Sequence, residues 1–216
     1  MHIFPRSVEA LKWIALACMT CDHVNRFLLG NRFGWLENVG RIAFPLFGFI
    51  FASNLAKNGG MSALKRAASK LVIIGLLSQP AYSILAPLAV LNVMFTLFLG
   101  AWLALSSLGN GVDKLNTLIA FFIVIYAGMF VDHQWFGIVY VFTSCKYCVE
   151  KTPWWLCFWV LSLALLVFVS NPWCYLALPI IVTSMQLPEH ALPRMRWFFY
   201  AYYPTHLSLI ALLAAL

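Results

Sequence analysis

The residues best equipped for chemistry in this sequence are Asp22-His23 with Arg26, Gly40-Arg41, and Tyr202-Tyr203 with His206. All three sets sit in strongly apolar surroundings. An ionisable group inside a lipid-buried helix costs at least about 2.5–3.5 kcal/mol on insertion scales, which makes each one a functional-site hypothesis by default. On a helix, positions four apart face each other while neighbours point about 100° apart. Asp22 is therefore expected to pair with Arg26, leaving His23 to meet another element. At 1.5 Å per residue His23 lies roughly 22 Å from Val8, in the outer half of a bilayer. Near Arg41, Pro45 lacks an N–H and displaces the carbonyl four residues earlier, which loosens the helix start beside a guanidinium. That guanidinium can bind a carboxylate or phosphate, or steady a developing oxyanion. Tyr202 and Tyr203, four and three residues before His206, can share one face with it.

Further polar groups are less pointed. Gln79 and Asn92 can line a polar cavity and contact substrate, or join helices to one another. Asp132-His133 falls in a short external loop and matters only if that loop folds over a cavity. The spacings Cys18/Cys21 and Cys145/Cys148 imitate zinc-binding pairs, but they lie on separate helices more than a hundred residues apart, so no metal is expected.

The elements that position these groups follow from composition. Of 216 residues, 63% are hydrophobic and 10% charged, against about 45–50% and about 25% in an ordinary soluble domain. A spanning helix takes about 20 residues, so the chain holds roughly eight to nine crossings and no soluble catalytic or nucleotide-binding domain. The expected fold is all-α: a polytopic integral membrane bundle forming one domain over residues 1–216. Its spans run from Val8–Leu29, Val39–Ala56, Ala68–Leu88, Asn92–Leu108, Leu115–Val131, Trp135–Val149, Trp154–Val169, Trp173–Met185 and Arg196–Leu216. Lys57-Asn58-Gly59-Gly60 marks a turn, and Met61–Lys70 a short basic helix at the surface or leading into the third span. Ser170-Asn171-Pro172 makes either a tight hairpin or a pair of broken helices.

The net charge of +7 reflects topology instead of nucleic-acid binding, because the basic residues are scattered through short loops. With the N-terminus cytoplasmic, eleven Lys and Arg fall inside and only Arg26, Arg32 and Arg41 outside. The six cysteines lie mostly in apolar runs and make no disulfide framework. Two activities fit the residues. One is a membrane transferase in which a histidine is general base and an arginine holds an acyl or phosphoryl donor. The other is a proton-coupled transporter, against which stands the lack of internal repeats.

Four segments add a resemblance. Cys21-Asp22-His23-Val24-Asn25, then Val39-Gly40-Arg41-Ile42-Ala43-Phe44-Pro45-Leu46-Phe47, then Leu91-Asn92-Val93-Met94-Phe95-Thr96-Leu97, and finally Phe199-Tyr200-Ala201-Tyr202-Tyr203-Pro204-Thr205-His206-Leu207 resemble, in order, the signature segments of the TraX family. The stretch from Asp132 to Gly137 is similar to a fifth, with residues inserted. The resemblance implies a multi-pass protein of the bacterial inner membrane that acetylates the N-terminus of a conjugative pilin, with acetyl-CoA as acyl donor and the pilin subunit, coenzyme A and the lipid bilayer as partners. TrbP-type conjugal transfer proteins belong to the same group. On this reading His23, Asp22, Arg41 and His206 are catalytic, with His23 as base or either histidine as an acetyl carrier. Arg26, Asn92, Gln79, Tyr202 and Tyr203 contact substrate, and Lys65, Arg66 and Lys70, together with Lys57, attract the phosphates of coenzyme A. A different end-modification of pilin, such as cyclisation, and glycan O-acetylation are the nearest alternatives.

Overall fold

In a computed structural model the described residues are 5–57, 61–86, 90–107, 114–186 and 195–216. The expected turn residues Asn58-Gly59-Gly60, the span ends Leu88 and Leu108, and Arg194 lie outside them. The described chain is helical: α1 (Pro5–His23), α2 (Gly34–Gly40), α3 (Ala43–Lys57), α4 (Met61–Leu85), α5 (Val93–Ser106), α6 (Lys114–Ala127), α7 (Gln134–Glu150), α8 (Pro153–Leu165), α9 (Ala177–Gln186) and α10 (Arg196–Ala214). Each of the nine expected spans overlaps a helix, with ends that differ by several residues. Two stretches, Gly34–Ala56 and Lys65–Leu85, are long and apolar enough to cross a membrane. The basic segment from Met61 is the first part of α4 and not a separate helix. At Ser170-Asn171-Pro172 the chain forms broken helices: 3-10 turns at Leu166–Val169 and Pro172–Leu176 flank Asn171, whose side chain accepts from Trp173 N and donates to Asn38 Oδ1 at 2.9 Å.

The packing centre is α7, which lies against α3, α5 and α8. Gly100 of α5 permits this approach, because a Cβ there would stand 2.6 Å from Val141 Cβ. Tyr140, fully buried, donates its hydroxyl to the Pro45 carbonyl at 2.8 Å and ties α7 to the start of α3. α6 sits outside this core and presents Leu115, Leu118, Phe121, Phe122 and Tyr126 outward. α4 and α10 pack together, and α1 packs on α2 and α3.

One relation sets up the site. Trp13 meets Phe199 at 5.2 Å between ring centroids, Thr20 bonds Tyr202, and His23 bonds His206. Positions rise together on both helices, so α1 and α10 run parallel.

Candidate functional site

The two histidines that the sequence places 183 residues apart share a hydrogen bond, His23 Nδ1 to His206 Nε2 at 2.7 Å, with rings parallel to within 3°. The second nitrogen of His206 decides the protons. His206 Nδ1 lies 2.9 Å from the Tyr202 carbonyl oxygen, which can only accept, so Nδ1 carries the hydrogen. In the neutral ring His206 Nε2 then accepts, and His23 Nδ1 is the donor. The lone pair of the neutral His23 is thereby assigned to Nε2, on a residue that lines a cavity. His206 itself stands behind the wall, 7% exposed.

Tyr202 braces the pair. The Thr20 hydroxyl donates to the Leu16 carbonyl at 2.8 Å, so the 2.8 Å contact between Thr20 Oγ1 and the Tyr202 phenol uses the phenol's only proton. Tyr202 therefore clasps α10 to α1, and its hydroxyl is not a free donor for an oxyanion. Tyr203 is buried and lines the cavity.

The cavity, of about 620 Å³, follows α1 through Lys12, Leu16, Met19, His23 and Arg26. These positions recur every three to four residues and cover roughly 20 Å of helix. The half nearer Lys12 is walled by Phe47, Ile50, Phe51, Leu71 and Ile74 and is largely apolar. The other end is polar, with Asp22, Arg26, Asn31, Arg41, Asp132 and His133.

At that end the expected Asp22–Arg26 pair does not form. After His23 the helix widens into a π-turn, Val24–Leu28, closed by Leu29 N donating to the Val24 carbonyl at 3.1 Å. A π-turn bonds five residues back instead of four, which moves Arg26 off the face of Asp22. Arg26 is exposed and lies 5.2 Å over the Phe27 ring. Asp22 instead packs on Gly40, where any Cβ would collide with it, at 2.6 Å from Oδ1. Arg41 Nη2 bonds Glu37 Oε1 at 2.8 Å, and Arg41 Nε is buried with no partner among the described residues.

The Asp132-His133 loop does fold over the cavity. Leu91 and Val131 form an isolated parallel bridge, with Leu91 N donating to Phe130 O at 2.7 Å and Asp132 N to Leu91 O at 2.9 Å. Thr96 Oγ1 donates to the Asp132 carbonyl, and Asp132 Oδ1 accepts from His133 N at 3.0 Å. His133 and Gln134 both adopt left-handed backbone angles, φ 59° and 49°, and His133 stacks on Phe44 at 4.0 Å. Burial holds the His133 imidazole below its ordinary pKa; the Asp132 carboxylate opposes this and the Arg41 charge adds to it.

Other expected site residues lie elsewhere. Asn92 Nδ2 donates to Gly75 O and Gln79 Oε1, Asn92 Oδ1 caps α5 by accepting from Met94 N, and Gln79 Nε2 donates to Val90 O. The two amides spend their hydrogen bonds joining α4 to α5 and do not line the cavity. Lys65 and Arg66 are exposed away from it, and Lys70 lies over the Tyr200 ring at 5.3 Å. The cation that does line the inner half is Lys12, bonded to buried Glu9 at 2.7 Å. Its signal was legible as spacing, since Lys12 precedes His23 by three helical turns. Among the described residues no three His, Cys, Asp or Glu side chains converge as a metal site.

Comparison with known proteins agrees with the motifs. The probable fimbrial assembly protein FimC, serogroup H1, of Dichelobacter nodosus is 22% identical over 234 residues, covering 94% of this chain and 94% of that protein. No solved structure matches. The model of the family described as TraX protein matches residues 7–214. With nearly its whole length matched, the chain belongs to the TraX family.

Proposed function

We propose that this protein is a multi-pass enzyme of the bacterial inner membrane that transfers an acetyl group from acetyl-CoA to the N-terminal amine of a pilin subunit, a step in pilus maturation. The observation that carries the reading is the His23–His206 pair, which leaves the lone pair of His23 Nε2 on a wall of the cavity. A ring held in one tautomer, with its free lone pair on a cavity-lining residue, is what a general base requires. The family and the fimbrial assembly relative support the pilus context. The outward apolar face of α6, together with the 63% hydrophobic composition, supports a lipid environment.

The cavity fits the substrates in opposite directions. Its apolar half takes the acylated thiol arm of the donor, with the phosphorylated nucleotide left outside the end marked by Lys12. Its polar half takes the acceptor amine. His23 Nε2 removes a proton as the amine nitrogen bonds to the carbonyl carbon; the carbon–sulfur bond breaks, and the same proton passes to the departing thiolate. His206 accepts the His23 Nδ1 hydrogen bond and keeps the ring oriented through the charge change. Arg41, whose side chain lines the polar end, supplies the positive charge that steadies the developing oxyanion. An α-amine has a reference pKa of about 7.7–8.0, so a modest base suffices.

Mass spectrometry of pilin from cells with and without the gene tests the reading. Loss of one acetyl group from the pilin when the gene is removed is expected, and an unchanged pilin mass would refute it.

A further inference from the structure

The polar end of the cavity contains a group to which no role has been given. Tyr82 of α4 is 5% exposed, lines the cavity, and has no hydrogen-bond partner for its hydroxyl among the described residues. The charges of Asp132 and Arg26 act on it. Two carboxylates from separate elements line the same cavity. Asp132 comes from the bolted turn before α7 and accepts only the N–H of His133, while Asp22 comes from α1 and packs on Gly40. Neither carboxylate lies within 4 Å of a cationic side chain among the described residues, although Arg26 and Arg41 share the chamber. Arg41 is held by Glu37 and Arg26 is turned outward by the π-turn.

We propose that Tyr82, Asp132 and Asp22 form an acceptor subsite that takes a peptide's terminal amine as its ammonium ion, the carboxylates matching the charge and the Tyr82 hydroxyl accepting one N–H. The inference rests on the transferase reading and names the residues and the charge state by which the acceptor is held. Three observations converge: a hydroxyl without a hydrogen bond among the described residues, on a buried residue of the cavity wall, two carboxylates without ion pairs, and a turn fixed by the Leu91–Val131 bridge, with two left-handed residues, that carries one of them. At pH 7 an α-amine is mostly protonated, so it reaches the site as a cation. Asp22 is the immediate neighbour of His23, so the ammonium is held beside the base: it gives up one proton to solvent to become the neutral amine, and the second leaves through His23 to the departing thiolate as the carbon–nitrogen bond forms. Acetylation turns the ammonium into a neutral amide, the carboxylates lose their partner, and the product is released for the same reason that the substrate is bound.

Equilibrium binding in the absence of any donor tests this separately from the reaction. The full chain in lipid nanodiscs is titrated with the peptide Ala-Ala-Ala-amide bearing a free N-terminus and with its N-acetyl counterpart, followed by tryptophan fluorescence. Wild type is expected to bind the free-amine peptide at least tenfold more tightly than the acetylated one. Asp132→Asn and the near-isosteric Tyr82→Phe are each expected to remove most of that difference while the nanodisc preparations elute as wild type does. Equal binding of the two peptides by wild type, or an unchanged preference in Tyr82→Phe, overturns the subsite. If the preference appears but acetyl-CoA yields no product, the subsite stands and the transferase reading falls.

Discussion

Replacing His206 by Phe keeps an aromatic ring behind the cavity wall and deletes the acceptor for the His23 Nδ1 hydrogen. The structure fixes what that should do. In wild type the His23 proton resides on Nδ1 because His206 Nε2, 2.7 Å away, has its lone pair aimed at it, and His206 Nδ1 is held by the Tyr202 carbonyl at 2.9 Å. Without the acceptor, Nδ1–H is buried and unsatisfied, at a cost of about 1–3 kcal/mol. The ring escapes it by moving the proton to Nε2 or by rotating, and either change removes the base from the cavity. A penalty of one to two kcal/mol corresponds to roughly a 5- to 30-fold fall in the competent population. General base catalysis contributes about 10²- to 10⁴-fold, so His23→Phe should lose on that scale, and the double variant should lose no more than His23→Phe alone. His206→Gln, whose carbonyl can accept from Nδ1, should recover part of the rate. Initial rates of acetyl transfer to a free-amine peptide in proteoliposomes give the ratios, and ¹⁵N shifts of the labelled histidines give the tautomer directly. Activity of His206→Phe within twofold of wild type, or losses that multiply in the double variant, would refute the relay.

Three further outcomes follow from the geometry. Gly40→Ala places a methyl group against Asp22, at 2.6 Å from Oδ1, and should cost about 1–3 kcal/mol by overpacking in thermal unfolding of the solubilised protein; an unchanged midpoint would mean that the α1–α2 contact is looser than described. Asn92→Ala removes the α5 cap and the links to Gly75 and Gln79, so membrane levels should fall, while the transfer rate per folded molecule and the KM for peptide stay within about twofold; a selective rise in peptide KM would restore Asn92 as a substrate contact. Lys12→Gln should raise the KM for acetyl-CoA about tenfold, as expected for loss of a charged hydrogen bond, whereas the double change Lys65→Gln, Arg66→Gln should leave it nearly unaltered, since neither residue lines the cavity.

Sequence reasoning found the helices because long apolar runs between turn signals leave few other structures for the chain. It missed what depends on helix detail or on long-range approach. α2 was hidden because Gly34–Gly40 is short and carries Glu37 and Asn38 in a segment that reads as a loop. The Asp22–Arg26 pair was inferred from regular α-helical spacing, and the π-turn at Val24–Leu28 breaks that spacing one residue after His23. Tyr202 had the right neighbours for a substrate contact, yet its proton is spent on Thr20, a residue 182 positions away whose own proton goes to Leu16. Asp132 and His133 looked solvated because nothing local shows that Leu91 will bridge Val131 and draw the turn over the cavity. By contrast, the placing of His23 and His206 was legible, since an imidazole in an apolar helix needs polar company.

The parallel run of α1 and α10 constrains both topology and assembly. Two parallel spanning helices have an odd number of crossings between them. In the proposed bundle, with the first span running outward, the α10 span also runs outward and the total through α10 is odd. This geometric result is independent of the nine apolar spans that gave an odd count from sequence. His23 and His206 meet only once α10 has docked on α4, from where it reaches α1 through Trp13–Phe199, Thr20–Tyr202 and the imidazole pair. Until then His23 has no partner to fix its tautomer, and the cavity lacks the wall made by Phe199, Tyr200, Tyr202 and Tyr203. Drawing the base and its orienting partner from opposite ends of the chain thus couples activity to complete assembly. On the proposed function, a nascent or misassembled bundle that already exposes His23 and the polar chamber has no oriented base for the transfer.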